Sequence, residues 1–114
     1  TVKNSFNHFP VDVICKTAAK AALKSYEYYE KITTEIVETR EWFSQELSKK
    51  GYSVIPSKTN FIFVNHPTRK GSEIYEDVKK AGILIRHFAT PGIENFVRIT
   101  IGTREQMEAL LKVM

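Results

Sequence analysis

The stretch Phe96-Val97-Arg98-Ile99-Thr100-Ile101-Gly102-Thr103 decides the fold. Side chains alternate between the two faces of a β-strand. Read as a strand, it places Val97, Ile99 and Ile101 on one face, which suits a helix-covered core. Phe96, Arg98 and Thr100 fall on the other face. The strand stops at Gly102, and Thr103-Arg104-Glu105-Gln106 reads as a capping box, with threonine at the N-cap and glutamine at N3. Met107, Leu110, Leu111 and Met114 then give the apolar face of a final helix.

Working back from this strand, Ile83 to Arg86 reads as another strand, joined to it by a loop, His87 to Asn95, with a Pro91-Gly92 turn. Before it comes a short helix capped by Ser72, with Ile74, Val78 and Ala81 inward and Gly82 closing it. Asn60 to Val64 reads as a strand covered on both faces, and Tyr52 to Ile55 as a short strand ended by Pro56. Upstream the period changes to that of a helix. Ile32, Ile36, Phe43 and Leu47 form the apolar stripe of a long amphipathic helix. Lys49 and Lys50 suit its C-terminal dipole, and Gly51 suits a left-handed cap. Tyr26, Tyr28 and Tyr29 mark a kink, preceded by a helix with Asp12 as N-cap and with Ile14, Ala18, Ala21 and Ala22 at helical spacing. Thr1 to Pro10 is irregular and aromatic. The order is helix, helix, strand, strand, helix, strand, strand, helix, and the short connections suit antiparallel neighbours. The expected class is α+β: a small, mostly antiparallel sheet with helices packed on it, preceded by a long N-terminal helical segment. Residues 1–114 fit a single domain.

Composition narrows the function classes. Apolar residues at 42% and charged residues at 26% are ordinary for a globular protein and exclude a disordered chain. The net charge of +4 comes from basic residues spread along the chain without a dense stripe. It reads as a solvated surface and not as a nucleic-acid site. No apolar run approaches membrane-spanning length, and no signal peptide is visible. The first residue is Thr1, not Met, which points to a processed or excised chain. Cys15 is the only cysteine, so no internal disulfide can form. It lies in an apolar helical pattern and reads as buried filler in a cytosolic protein. His8, His66 and His87 lack metal-ligand spacing, so no metal site is expected. The glutamates of the middle helix read as a solvated face.

Three residues remain as candidates for chemistry. An arginine in mid-strand between apolar neighbours does not sit unpaired in a dry core. The face that carries Arg98 therefore looks toward a cleft, a partner or a polar ligand. Otherwise Arg98 snorkels to water or meets a structural carboxylate. Arg86 poses the same question at the end of the preceding strand. Arginines on neighbouring strands make a good anion site, because a guanidinium binds carboxylate or phosphate in bidentate fashion. Asn60 opens its strand, either as an edge amide satisfying backbone groups or as a site residue.

Three segments carry a family resemblance in the same order: Thr59-Asn-Phe-Ile-Phe63, Gly82-Ile-Leu-Ile-Arg-His-Phe88 and Phe96-Val-Arg-Ile-Thr-Ile-Gly-Thr103. They resemble motifs of the C-terminal small domain of histidinol-phosphate aminotransferases and their fold-type I relatives. Asn4-Ser-Phe-Asn-His-Phe-Pro10, leading into an alanine-rich helix, is similar to the family's entry into that domain. The resemblance covers essentially the whole chain. It implies that Arg98 binds the α-carboxylate of the amino-acid substrate, that Arg86 lies at the substrate end of the site, and that Asn60 borders it. It implies pyridoxal 5'-phosphate as cofactor and a cytoplasmic, homodimeric enzyme of histidine biosynthesis. Such an enzyme moves an amino group between histidinol phosphate and 2-oxoglutarate, with glutamate as the other partner. The family's cofactor lysine, cofactor-phosphate arginine and pyridine-nitrogen aspartate lie upstream of these motifs. The family's serine–lysine segment lies in that upstream part, so the resemblance places no cofactor lysine in this chain.

The expectation is therefore a partial enzyme, lacking the large domain with the cofactor lysine and inactive alone. Its rings Phe6, Phe9, Phe88 and Phe96 should form an exposed apolar patch where that domain would pack. Two alternatives stand beside it. One is the small domain of another fold-type I enzyme, an aromatic aminotransferase or a threonine-phosphate decarboxylase-like protein; Ile99 to Thr103 leans toward the aminotransferase. The other is a free-standing binding domain.

Overall fold

A computed structural model describes residues 11–114. Phe6, His8, Phe9 and the Asn4–Pro10 entry segment lie outside the described residues. The chain divides into two compact units, with the boundary between Ile32 and Thr33.

The first unit contains helix α1 (Val13–Lys24) and the opening turns of helix α2 (Tyr26–Lys49). Asp12 is the N-cap of α1: the Cys15 amide donates to its carboxylate at 2.7 Å. That amide, followed by further donation from Cys15 and Ile14, holds the Asp12 carboxyl below its ordinary value. Between the helices, Ser25 leaves the helical conformation and turns its amide onto the carbonyls of Ala21 and Ala22. The break thus comes one residue before the expected tyrosine kink. Periodicity correctly gives α1 as a helix, but α1 contains no buried residue. Ile14 is 79% exposed, and Cys15 is exposed instead of being buried filler. Helical spacing gathers apolar residues on one face, whereas burial needs another surface on that face.

The second unit holds the rest of α2, strands β1 (Ser53–Ile55) and β2 (Phe61–Asn65), helix α3 (Gly71–Lys80), strands β3 (Arg86–His87) and β4 (Phe96–Thr100), and helix α4 (Arg104–Val113). The four strands form one antiparallel sheet in the order β1-β2-β4-β3. This is the expected α+β class, with the helices over one face. Phe43 and Leu47 of α2, Ile62 and Val64 of β2, Val97 and Ile99 of β4, and Leu110 of α4 are each almost fully buried in the core. Each such side chain contributes roughly 1.5–3 kcal/mol of transfer free energy.

Two helix ends share one device. At α2, Gly51 takes φ +89°, its amide reaches Ser48 O, and the Tyr52 amide closes on Leu47 O at 3.1 Å. At α3, Gly82 takes φ +80°, its amide reaches Lys79 O, and the Ile83 amide closes on Val78 O at 3.2 Å. These are Schellman caps, and the residue after each glycine packs against the core. The second cap explains a shorter strand than expected. The Ile83 amide is engaged by the helix end, and regular pairing begins only at Arg86.

Other differences are local. Helix α3 opens at Gly71, with Lys70 rather than Ser72 at the N-cap, and the Glu73 carboxylate accepts the Lys70 amide at 3.1 Å. A Cβ on Gly71 would stand 2.7 Å from Glu94 O, so only glycine lets this helix start meet the β3–β4 loop. Ala81, expected inward, is exposed. Strand β2 is buried on one face only: Ile62 and Val64 are inside, whereas Phe61, Phe63 and Asn65 are half-buried. The Thr103–Gln106 capping box is formed as expected, with Gln106 N to Thr103 Oγ1 at 3.3 Å and Thr103 N to Gln106 Oε1 at 3.0 Å.

Candidate functional site

Register brings the two candidate arginines together. Strand β3 pairs with β4 so that Arg86 lies directly opposite Arg98. Their Cβ atoms therefore project from the same sheet face about 5 Å apart. On its other side Arg98 is opposite Phe63 of β2. The face that no helix of the second unit covers thus carries Phe61, Phe63, Phe96, Arg98 and Arg86, joined by Phe88 two residues beyond Arg86.

Rings surround the guanidinium groups. The Arg98 guanidinium carbon lies 5.0 Å from the Phe61 ring centre and 5.8 Å from that of Phe88. The Arg86 carbon lies 5.1 Å from the Phe88 centre. Phe88 stacks on Phe63 at 6.2 Å, and Phe63 meets Phe96 edge-on at 6.4 Å. The three guanidinium–ring distances are within cation–π range, and the ring pairs are within the range of aromatic contacts. Phe88 and Phe96, expected in an exposed patch, are half-buried against Phe63, which the sequence reading did not place on this face.

No carboxylate among the described residues answers the charges. Among the described residues the ion pairs involve Arg40, Lys49, Arg69, Lys80 and Arg104, and neither Arg86 nor Arg98. The Arg98 Nε is buried without a hydrogen-bond partner. Like charges directly opposite in a sheet are destabilising, and a buried donor left unsatisfied costs about 1–3 kcal/mol. Neither feature helps the fold, and an incoming carboxylate or phosphate would relieve both.

Asn60 is not drawn into this pair. It is exposed and precedes β2, and its carbonyl accepts the Ile101 amide at 2.8 Å, one step beyond the Phe61–Thr100 pairing. Three residues along a strand separate it from the position opposite Arg98, about 10 Å. The turn before β2 is anchored by Arg40, the one charged residue in the buried interior among the described residues. Its Nη1 donates to Thr59 O at 2.9 Å, and its Nη2 and Nε donate to Glu41. The hydroxyls of Ser57 and Thr59 donate to Phe61 O at 2.7 and 3.1 Å. A cavity of about 400 Å³ adjoins Arg40, Ser44 and Ser57, but its guanidinium is already engaged.

The face was half legible in the sequence. Alternation put Arg98 on it, and the same rule applied to Phe61 and Phe63 would have added their rings. Phe88 was legible only through the β3–β4 register.

The profile of class I and II aminotransferases matches residues 2–114. The chain belongs to the class I and II aminotransferase family. The chain is 41% identical over 110 residues to a histidinol-phosphate aminotransferase of Clostridium botulinum, covering 96% of this chain and 31% of that protein. It is 44% identical over 111 residues to one from Clostridium beijerinckii, covering 97% of this chain and 31% of that protein. Among solved structures, the histidinol-phosphate aminotransferase of Clostridium acetobutylicum superposes with a TM-score of 0.82 at 26% identity, over 98% of this chain and 35% of that one. The enzyme from Sinorhizobium meliloti, solved in complex with pyridoxal-5'-phosphate, gives a TM-score of 0.78 at 26% identity, over 96% of this chain and 31% of that one. This aminotransferase chain thus spans about 31% of the length of the curated relatives it matches. No helix among its described residues is long and apolar enough to cross a membrane.

Proposed function

We propose that this chain is the small domain of a histidinol-phosphate aminotransferase and supplies the arginines that hold the substrate's anionic groups. The observation that carries the reading is the Arg86–Arg98 cross-strand pair, with the Arg98 Nε unpartnered on a face that no helix of the second unit covers. Arg98 would clamp the α-carboxylate of glutamate, because its planar fork matches a carboxylate in bidentate geometry. Arg86 would take the distal anion, the second carboxylate of glutamate or the phosphate of histidinol phosphate. Holding these anionic groups fixes the reacting bond relative to the cofactor. Asn60 keeps a bordering role at the end of β2. The rest of the reading is the soluble, cytoplasmic homodimer of the family resemblance.

The family implies pyridoxal 5'-phosphate, which supplies the electron sink for amino transfer. The described residues do not fit that group as its holder. The strand positions of the arginine face include no lysine, and its unmatched donor belongs to a mid-strand arginine bedded in phenylalanine rings. We assign the cofactor to a large domain elsewhere in the same polypeptide, with residues 1–114 forming the small domain.

Two preparations test the proposal. The complete protein, given the cofactor, glutamate and imidazole-acetol phosphate, should release 2-oxoglutarate at an enzyme-like rate. The 114-residue chain under the same conditions should release none. Turnover by the short chain, or none by the complete protein, overturns the assignment.

A further inference from the structure

The phenylalanine that follows β3 stands in an unusual position. Both guanidinium groups lie over its ring, Arg86 at 5.1 Å and Arg98 at 5.8 Å. These groups are like-charged and directly opposed in the register, and no carboxylate among the described residues separates them. An electron-rich ring face shared by two cations offsets part of their repulsion without neutralising either. A carboxylate in the same place would also quiet the repulsion, but it would compete with an incoming anion for the same donors. A leucine would fill the space and attract neither charge.

The backbone around Phe88 is fixed. Pairing of Arg86 and His87 with β4 holds it on one side. The His87 Nε2 donates to Glu94 O at 2.7 Å, tying the two ends of the β3–β4 loop together. The buried Gly71 seats that loop against the start of α3. The Phe63 ring, from the far side of β4, stacks on Phe88 with an interplanar angle of 23°. A side chain held at its backbone and on its ring is suited to orienting others.

We infer that Phe88 is a positioning residue for anion recognition: its ring is the shared aromatic spacer that lets Arg86 and Arg98 stand opposite each other, charged and aimed at one ligand. The inference rests on the site reading above and adds to it a residue that touches neither cofactor nor reacting atoms.

The test uses the complete protein and glutarate, a dicarboxylate without an amino group, with binding measured by calorimetry beside steady-state kinetics. Phe88→Leu should raise the glutarate dissociation constant about tenfold, the effect of losing two partly screened cation–ring contacts. KM for glutamate should rise in parallel and kcat should stay within about threefold of the parent, the pattern of lost binding that is uniform between ground and transition state. Phe88→Tyr, which keeps the ring, should stay within about twofold on every measure. If Phe88→Leu does not fold, phenylalanines bearing one, two and three ring fluorines at position 88 keep the shape while draining the ring face of charge. Affinity should then fall stepwise with fluorine number. Parent-like affinity in Phe88→Leu, or a flat fluorine series, overturns the role of Phe88. Parent-like affinity in Arg98→Ala as well overturns the site reading itself.

Discussion

The two faces of one four-stranded sheet are built on opposite principles. On the helix-covered face Ile62, Val64, Val97 and Ile99 are at most 1% exposed and belong to one apolar cluster. On the other face the same strands present Phe61, Phe63, Arg98 and Arg86, half-buried or exposed, with opposed like charges and an unpartnered donor. The backbone ladder is common to both, so the difference lies in the side chains alone. One face is arranged for stability. The other carries a like-charge repulsion and an unsatisfied donor that a fold by itself would not need. Helix α1 extends the contrast to the first unit: it has no buried residue, whereas α4 buries Met107 and Leu110.

The sharpest test is truncation on the covered face. Ile99→Ala should destabilise the protein by about 2–5 kcal/mol, the range for deleting a large aliphatic side chain from a packed core. Phe96→Ala on the open face should cost clearly less. Urea unfolding of both variants gives the comparison, and equal losses would erase the distinction between the faces.

Arg98→Ala should do the reverse, with stability within about 1 kcal/mol of the parent but kcat/KM for glutamate lower by at least about two orders of magnitude. That corresponds to roughly 3 kcal/mol, the loss of a charge-assisted bidentate pair. Arg98→Lys should recover only part, because an ammonium cannot reproduce the planar fork. Near-normal kinetics in the glutamate half-reaction of Arg98→Ala would remove this residue from the site.

A smaller and more selective effect is expected at the neighbouring strand. Arg86→Ala should slow the half-reaction with the phosphorylated substrate about tenfold, and more than the glutamate half-reaction, in single-turnover measurements. Its stability should change by no more than about 0.5 kcal/mol, since relief of the repulsion from Arg98 offsets the lost ring contact. Equal loss in both half-reactions together with lowered stability would instead mark Arg86 as structural.

The smallest effect lies in α1. The Asp12 carboxyl is held below its ordinary value by the Cys15 amide, so its capping contribution is present at neutral pH. That contribution is fully present above the unfolded-state value and is lost as pH falls through the lower folded value. Asp12→Asn keeps a capping oxygen without the titration. Far-UV circular dichroism should show a slight acid loss of helix in the parent and a weaker one in Asp12→Asn. Identical acid profiles would show that the cap does not hold α1.

Much of this was readable from local sequence because its causes are local. The Thr103–Gln106 box, the glycine caps at Gly51 and Gly82, and the alternation of Val97, Arg98 and Ile99 each depend on neighbours within a few residues. Spacing assigned α1 correctly as a helix and misjudged Cys15, because periodicity says which residues share a face and not whether anything covers it. The same limit misread β2 as covered on both sides.

By itself, then, the sequence determined the α+β class, the identity and order of the elements, the family and the face on which Arg98 stands. Tertiary structure alone decided that Arg86 lies opposite Arg98, that Asn60 stands apart from them, that β3 shrinks to two residues behind the Gly82 cap, and that Phe61 and Phe88 bed the guanidinium groups. The physical reason is register. A strand's side-chain period is fixed by its own backbone, but which residue meets which across the ladder is set by helices and loops packed from distant parts of the chain.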